Sequence, residues 1–359
     1  MSTPGRKGAL VLVAAVLACA CSVPGIGATR SPSPVAATAT PGSTPSGAPS
    51  PTRPLGVLVN GLAESNYTVS LVGSDGRVIA SAQAATPPSL TCANGAAGVL
   101  PVPVSTSDTR AYYMDAQGVI RYLSSNGDVG RATTVPIGPA RRSSFAVSPD
   151  DSRIAVVVID FTASGAAIKL YVEDLNGAGH HLDTFSDSGA FILWATGWHG
   201  TGNLIVEKMP ACGGPFCCGD EFHVVDPTTA VRRFTVGALP CKIAGTPSPA
   251  GVVCETDTQA NVVSWTGATT RSFAIDHGFA HAYLSPDGSL VALWSNDGTL
   301  IQESKRTFPG MLACGWIDDT HFLSAGDAQQ QTRVANVTTG QILPVPALGF
   351  CAGRLPGGL

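Results

Sequence analysis

The chain has 359 residues, 44% of them hydrophobic and only 13% charged, so it carries enough apolar material for a sizeable core and is not disordered as a whole. Twenty-one Lys and Arg against 25 Asp and Glu leave a formal net charge of −4, which removes the basic footprint expected of a nucleic-acid partner. Forty-one Gly and 27 Pro with 6% aromatics suit short strands joined by many turns better than a helical chain.

Arg6 and Lys7 precede an uncharged run from Ala9 to Ala20, followed by Cys21 and Ser22. That order of charged, apolar and small residues is the order of an export signal. About a dozen apolar residues fall short of the roughly 20 that a permanent membrane helix needs. The run ends Val16-Leu17-Ala18-Cys19-Ala20-Cys21-Ser22. It resembles the lipobox of bacterial lipoproteins, in which a Cys after a small residue is lipidated and becomes the new N-terminus. Both Cys19 and Cys21 fit the register. Cleavage before Cys21 leaves eight further cysteines, an even number, and cleavage before Cys19 leaves nine, so Cys21 is favoured and Cys19 is the alternative. The expected organisation is a signal peptide over 1–20, then the lipidated Cys and a tether over 21–54. Free secretion after a cut at Ala is the other reading.

Residues 23–54 are dominated by Pro, Ser, Thr, Ala and Gly. Such a segment cannot bury enough apolar surface to offset its ordering entropy, so it reads as a disordered spacer. As a flexible chain it would span on the order of 30 Å, more if the prolines stiffen it.

From Leu55 onward, short Val, Ile, Leu and Tyr runs alternate with turn residues and no long helical periodicity appears. Phe145-Ala146-Val147-Ser148-Pro149-Asp150-Asp151-Ser152-Arg153-Ile154-Ala155-Val156 nearly superimposes on Ala282-Tyr283-Leu284-Ser285-Pro286-Asp287-Gly288-Ser289-Leu290-Val291-Ala292-Leu293, 137 residues later. Three repeats across that offset give a period of about 46, in the propeller or solenoid range. In Ser-Pro-Asp-Gly, Pro fixes φ for the first bend, Asp bonds back to the backbone and Gly accepts a positive φ. Weaker copies lie at Ser107-Asp108-Thr109-Arg110, Pro249-Ala250-Gly251 and Asp318-Asp319-Thr320. Second hairpins turn at Asp75-Gly76, Asn126-Gly127, Asn176-Gly177, Asp226-Pro227, Gly267 and Gly340.

These units number seven, near 55–91, 92–140, 141–189, 190–240, 241–278, 279–311 and 312–350. About four short strands per ~40 residues is the arithmetic of a β-propeller blade. The expected fold is therefore all-β: a propeller over 55–351, seven-bladed with four short antiparallel strands per blade, and a C-terminal tail over 352–359. Ser-Pro-Asp-Gly followed by Val291-Ala292-Leu293-Trp294 resembles the WD-repeat-like propellers of bacterial exported proteins and of the periplasmic component of the Tol translocation system. The motif departs from that pattern in units one, four and five, which leaves the blade count open between six and eight. A pair of β-sandwich modules is the alternative fold.

Beyond Cys21 stand Cys92, Cys212, Cys217, Cys218, Cys241, Cys254, Cys314 and Cys351, read as disulfides in an exported chain. Cys241 and Cys254 flank one turn and form the favoured cross-strand pair; Cys351 could bond Cys314 or Cys92. Cys212, Cys217, Cys218 and His223 lie within 12 residues. A loop pinned by Cys212 to Cys217 or Cys218 is favoured over a metal or redox site, because no paired Cys-x-x-Cys spacing is present.

No nucleophile elbow, phosphate loop, dinucleotide fingerprint, zinc-protease helix or Asp-rich calcium loop is found. Asp276, His277 and His281 could share a propeller face, but Gly278 and the following strand argue against a helical metal pair. His180 and His181 read as a solvated hairpin pair. Trp194, Trp198, Trp265, Trp294 and Trp316 recur about once per unit and read first as blade packing, second as stacking platforms. Neither a cofactor nor a metal is expected. The function that emerges is a lipid-anchored extracytoplasmic propeller serving as a non-catalytic binding or scaffolding surface, for a protein, peptide or glycan not identified by the sequence. A hydrolase- or lyase-type propeller enzyme with its site at the channel mouth is the alternative, and a subunit of a larger envelope complex is a third reading.

Overall fold

A computed structural model describes residues 53–92, 95–98, 100–163, 165–175, 180–213, 221–237, 242–256, 258–275, 279–295 and 297–359. Among these there is no helix, hence none long and apolar enough to cross a membrane. The strands form seven antiparallel four-stranded sheets arranged in a ring, a seven-bladed β-propeller. Blade 2 consists of Val104–Thr106, Arg110–Met114, Val119–Ser124 and Val129–Thr134; blade 3 of Arg141–Val147, Arg153–Phe161, Ala166–Asp174 and His181–Gly189. Blade 4 follows as Phe191–His199, Asn203–Pro210, Glu221–Val225 and Arg232–Val236, and blade 5 as Lys242–Ile243, Val252–Glu255, Gln259–Val263 and Thr269–Ala274. Blade 6 is Phe279–Leu284, Val291–Ser295, Gly298–Ile301 and Arg306–Pro309, and blade 7 is Ala313–Trp316, His321–Ser324, Arg333–Asn336 and Ile342–Pro344. First strands of successive blades touch from blade 6 through 7, 1, 2 and 3 to blade 4, and so line the axis. The near-identical segments 137 residues apart fall three blades apart, in blades 3 and 6. Seven separate sheets around an axis replace the two stacked sheets of the sandwich alternative.

Burial within a blade explains the sequence pattern. Second strands are covered on both faces by neighbouring blades, so Arg153–Phe161 is buried without a break from Ile154 to Ile159 and is rich in β-branched residues. Fourth strands face outward; His181–Gly189 contains no buried residue. Trp194, Trp198, Trp265 and Trp316 are buried, as expected of blade packing, while Trp294 is half-buried beside His281 of its own blade. Trp198 of blade 4 is wholly buried and donates its indole N–H to Ala146 O of blade 3 at 3.0 Å. Trp316 of blade 7 does the same to Tyr283 O of blade 6 at 2.9 Å.

Blade 1 departs from the expected units. Its outer three strands are Leu55–Asn60, Asn66–Gly73 and Val78–Ala85, but its first is Phe350–Leu355, paired antiparallel to Leu55–Asn60 with Leu55 opposite Leu355. The propeller thus runs past residue 351, and 352–359 is not a loose tail: Leu355 is buried and residues 356–359 lie against blades 2, 3 and 4. A ring needs its last blade joined to its first, and sharing one sheet between both ends of the chain supplies that joint. Cys351 on this strand bonds Cys314 of blade 7, one of the two expected partners.

Cys212 bonds Cys92, 120 residues away, rather than Cys217 or Cys218 in its own loop. The reason is the path of residues 86–103 between blades 1 and 2, which reaches blade 4: Gly98 bridges Cys212, and Gly213 N–H donates to Ala97 O at 3.0 Å. Cys254 is disulfide-bonded too, and its partner lies outside the described residues, as do Cys217, Cys218 and Cys241.

Candidate functional site

The ring has two ends of different character. The turn face carries the hairpins between first and second strands, and two of them are built alike. In blade 3, Asp150 accepts from Ser148 Oγ at 2.6 Å and Ser152 Oγ at 2.7 Å, while Arg153 N–H donates to Ser148 Oγ at 2.9 Å. In blade 6, Asp287 accepts from Ser285 Oγ at 2.8 Å and Ser289 Oγ at 2.7 Å, and Leu290 N–H donates to Ser285 Oγ at 2.9 Å. Burial pushes both carboxyls up, yet these bonds, with Arg153 beside Asp150, outweigh it and hold both below the usual carboxylate range.

Successive turns are also tied to each other. Asp108 N–H donates to Pro149 O at 2.9 Å, Ser248 Oγ to Ser285 O at 3.1 Å, and Asp287 N–H to Asp319 Oδ1 at 2.8 Å. Asp151 accepts from Tyr112 Oη at 2.8 Å and Thr109 Oγ1 at 2.5 Å, joining blade 3 to blade 2. Arg354 of the closing strand is set among Asp319, Asp108 and Asp318, whose charges oppose the downward pull of burial on its guanidinium. Burial raises Asp108 and Asp319 above the usual range.

Residues 356–359 run across this face. Gly357 N–H donates to Ser107 O of blade 2 at 2.8 Å, Gly358 passes Pro149 of blade 3, and Leu359 reaches blade 4. There Leu359 N–H donates to Trp198 O at 2.6 Å, and Leu359 O accepts from His199 Nδ1 at 2.5 Å. Its side chain joins the apolar cluster of Ile205, Phe222, Ile243 and Trp265 between blades 4 and 5.

The loop face carries the described residues between blades 1 and 2, 86–92, 95–98 and 100–103. Arg142, at the start of blade 3, is buried and donates to Pro88 O at 2.9 Å, Ser89 O at 3.1 Å and Gly138 O at 2.6 Å. Four carbonyl bonds, counting one to Arg141 O at 2.7 Å, satisfy this cation without a carboxylate.

Of the residues singled out in the sequence, Asp276 and His277 lie outside the described residues, as do Cys19 and Cys21. His281 is on the first strand of blade 6, half-buried, its ring centre 5.0 Å from Trp294 and 6.4 Å from Tyr283. Burial lowers its pKa, opposed by a bond to the Ala244 backbone. His181 is less idle than a solvated pair: it bridges Glu173 at 3.3 Å and Asp183 at 3.1 Å and stacks on Tyr171. Between blades 3 and 4 a cleft of about 290 Å³ has an apolar floor of Leu170, Phe191, Leu193 and Val206 with Lys208 and Arg232 at its rim. Gly197, His199, Arg354 and Leu359 escaped the sequence reading, because their meaning depends on which part of the chain arrives beside them.

No protein-family model matches the sequence, and no curated protein matches it. Among solved structures the chain is similar to Hsv2p of Kluyveromyces lactis, at 12% identity and a TM-score of 0.43 over 83% of this chain and 98% of that one. It is similar to the dihydro-heme d1 dehydrogenase NirN in complex with DHE, at 12% identity and a TM-score of 0.49 over 88% and 77%. A third is the Dos1 propeller, at 13% identity and 0.42 over 84% and 88%. The likeness is one of overall fold.

Proposed function

We propose that the protein is a lipid-anchored, extracytoplasmic propeller whose faces present a binding or scaffolding surface, without catalysis of its own. The observation that carries this reading is covalent pinning of both loop and ring: Cys92–Cys212 fixes the loop face and Cys314–Cys351 fixes the closing strand. Disulfides of this kind persist in oxidising compartments, which supports an extracytoplasmic address. The lipobox-like residues Val16 to Ser22 and the Pro/Ser/Thr-rich spacer support an anchor at Cys21, with Cys19 as the second register. The turn-face carboxylates of Asp150, Asp151 and Asp287 are engaged in turn and interblade bonds, which supports a fixed recognition surface. The ligand classes that suit it are proteins, peptides or glycans.

The test is intact and peptide mass spectrometry, without reduction, on protein purified from its native envelope after cross-linking. An acylated Cys21, oxidised thiols and a cross-linked partner lost when the loop-face and turn-face loops are scrambled are the expected results. An unmodified N-terminus upstream of Cys19, or full capture of the partner by the tether alone, would overturn the reading.

A further inference from the structure

Gly197 sits beside a bulge in the first strand of blade 4, where Ala195 and Gly197 pair with consecutive residues of the next strand. A Cβ added there would stand 2.5 Å from Leu359 Cδ1 and 2.7 Å from Cγ. The missing side chain therefore forms the notch that admits a branched aliphatic group. Around the notch stand an acceptor, Trp198 O, a donor, His199 Nδ1, and an apolar wall that includes Ile205 and Trp265. Each residue of a peptide other than proline has a donor and an acceptor on its backbone, and a branched aliphatic one adds an apolar side chain; this seat matches all three. The approach is matched as well: a Cβ on Gly357 would meet Ser107 O at 2.6 Å, so only glycine passes blade 2 this closely.

We propose that this part of the turn face is a peptide-binding site for a segment with two glycines, the second at positive φ, followed by a branched aliphatic residue, and that residues 356–359 occupy it in cis. The proposal rests on the binding reading above and names its ligand class. A short tether holds its own segment at an effective concentration on the order of millimolar, so a partner peptide competes only when the segment is displaced. Residues 356–359 are joined to the ring by backbone bonds at Gly357 and Leu359 and by one side chain, a small set to exchange.

The probe is the synthetic peptide Leu-Pro-Gly-Gly-Leu carrying an N-terminal fluorophore, read by anisotropy against the full chain. Leu359→Asp empties the apolar notch, and its apparent affinity for the peptide should exceed that of the unsubstituted chain by about tenfold or more, because the competent fraction rises. Adding Gly197→Val to Leu359→Asp should abolish the gain. Gly357→Val, which lifts the segment at blade 2, is the second variant should Leu359→Asp unfold, with the thermal transition showing which variants are folded. Weak, unchanged binding by the folded variants overturns the proposal, as does a gain that survives Gly197→Val. A partner captured by the unsubstituted chain through the loop face, alongside failure here, would remove this site and leave the binding reading standing.

Discussion

Asp151 holds a backbone conformation that the matching turn of blade 6 gives to glycine: φ is 59° at Asp151 and 77° at Gly288. A left-handed non-glycine residue costs roughly 1–2 kcal/mol, somewhat less for Asp, and here the side chain repays it by bonding Thr109 and Tyr112 of blade 2. Asp151→Ala keeps the strain and loses both bonds, so urea unfolding should show a loss of about 2 kcal/mol. Asp151→Gly loses the bonds but relaxes the backbone, and should lose about 1 kcal/mol less than the alanine variant. Equal losses would deny the backbone its share. The paired turn aspartates make a second prediction. Asp150 and Asp287 are held below the ordinary carboxylate range, so the folded state binds their protons less readily than the unfolded chain does. Their contribution is present above about pH 4 and disappears as pH falls through the lowered values. A stability profile from pH 6 to 2.5 should therefore fall on the acid side, and Asp150→Asn should flatten that limb relative to the unsubstituted protein.

The strand Phe350–Leu355 is the element on which closure depends. It pairs with Leu55–Asn60, is bonded through Cys351 to blade 7, and places Arg354 among the carboxylates of blades 2 and 7. The disulfide closes 37 residues of sequence, for which the chain-entropy account gives about 4 kcal/mol. Replacing Cys314 and Cys351 together with Ser should lower the unfolding free energy, measured without reductant, by up to that amount and expose Phe350–Leu355 to proteolysis. Replacing Cys92 and Cys212 should instead admit cleavage within residues 86–103 while the blades stay protected, and limited digestion separates the two cases. Elements with local signals were legible in the sequence. Blades 2, 3, 6 and 7 announce themselves through turn chemistry at Asn126-Gly127, Ser148 to Ser152, Ser285 to Ser289 and Gly340, which acts over a few residues. Phe350–Leu355, reading Phe-Cys-Ala-Gly-Arg-Leu, has no alternating apolar pattern, and its partner is at the other end of the chain. The path of residues 86–103, and with it the pairing of Cys92 to Cys212, is a tertiary fact that spacing could not carry. The seat at Gly197 and His199 was hidden for the same reason.

At the scale of the whole molecule, seven blades of nearly equal build leave little room for side-chain variety inside the ring and much at its ends. Each end is crossed by a segment that belongs to none of the blades it touches: 86–103 at one, 356–359 at the other. Opening both crossings, by Cys92→Ser with Leu359→Asp, should leave the cooperative unfolding of the ring recognisable while raising hydrogen exchange in those two segments, which calorimetry and exchange measurements can check together. The first sheet, finally, orders events in time. Leu55 pairs with Leu355, so the earliest blade in the chain is the last to be finished, and the free edge of Leu55–Asn60 waits through the making of almost every other strand. The emerging polypeptide is in effect a keyed loop whose key is cut last, and any early stop that spares six blades still leaves a ring that cannot lock.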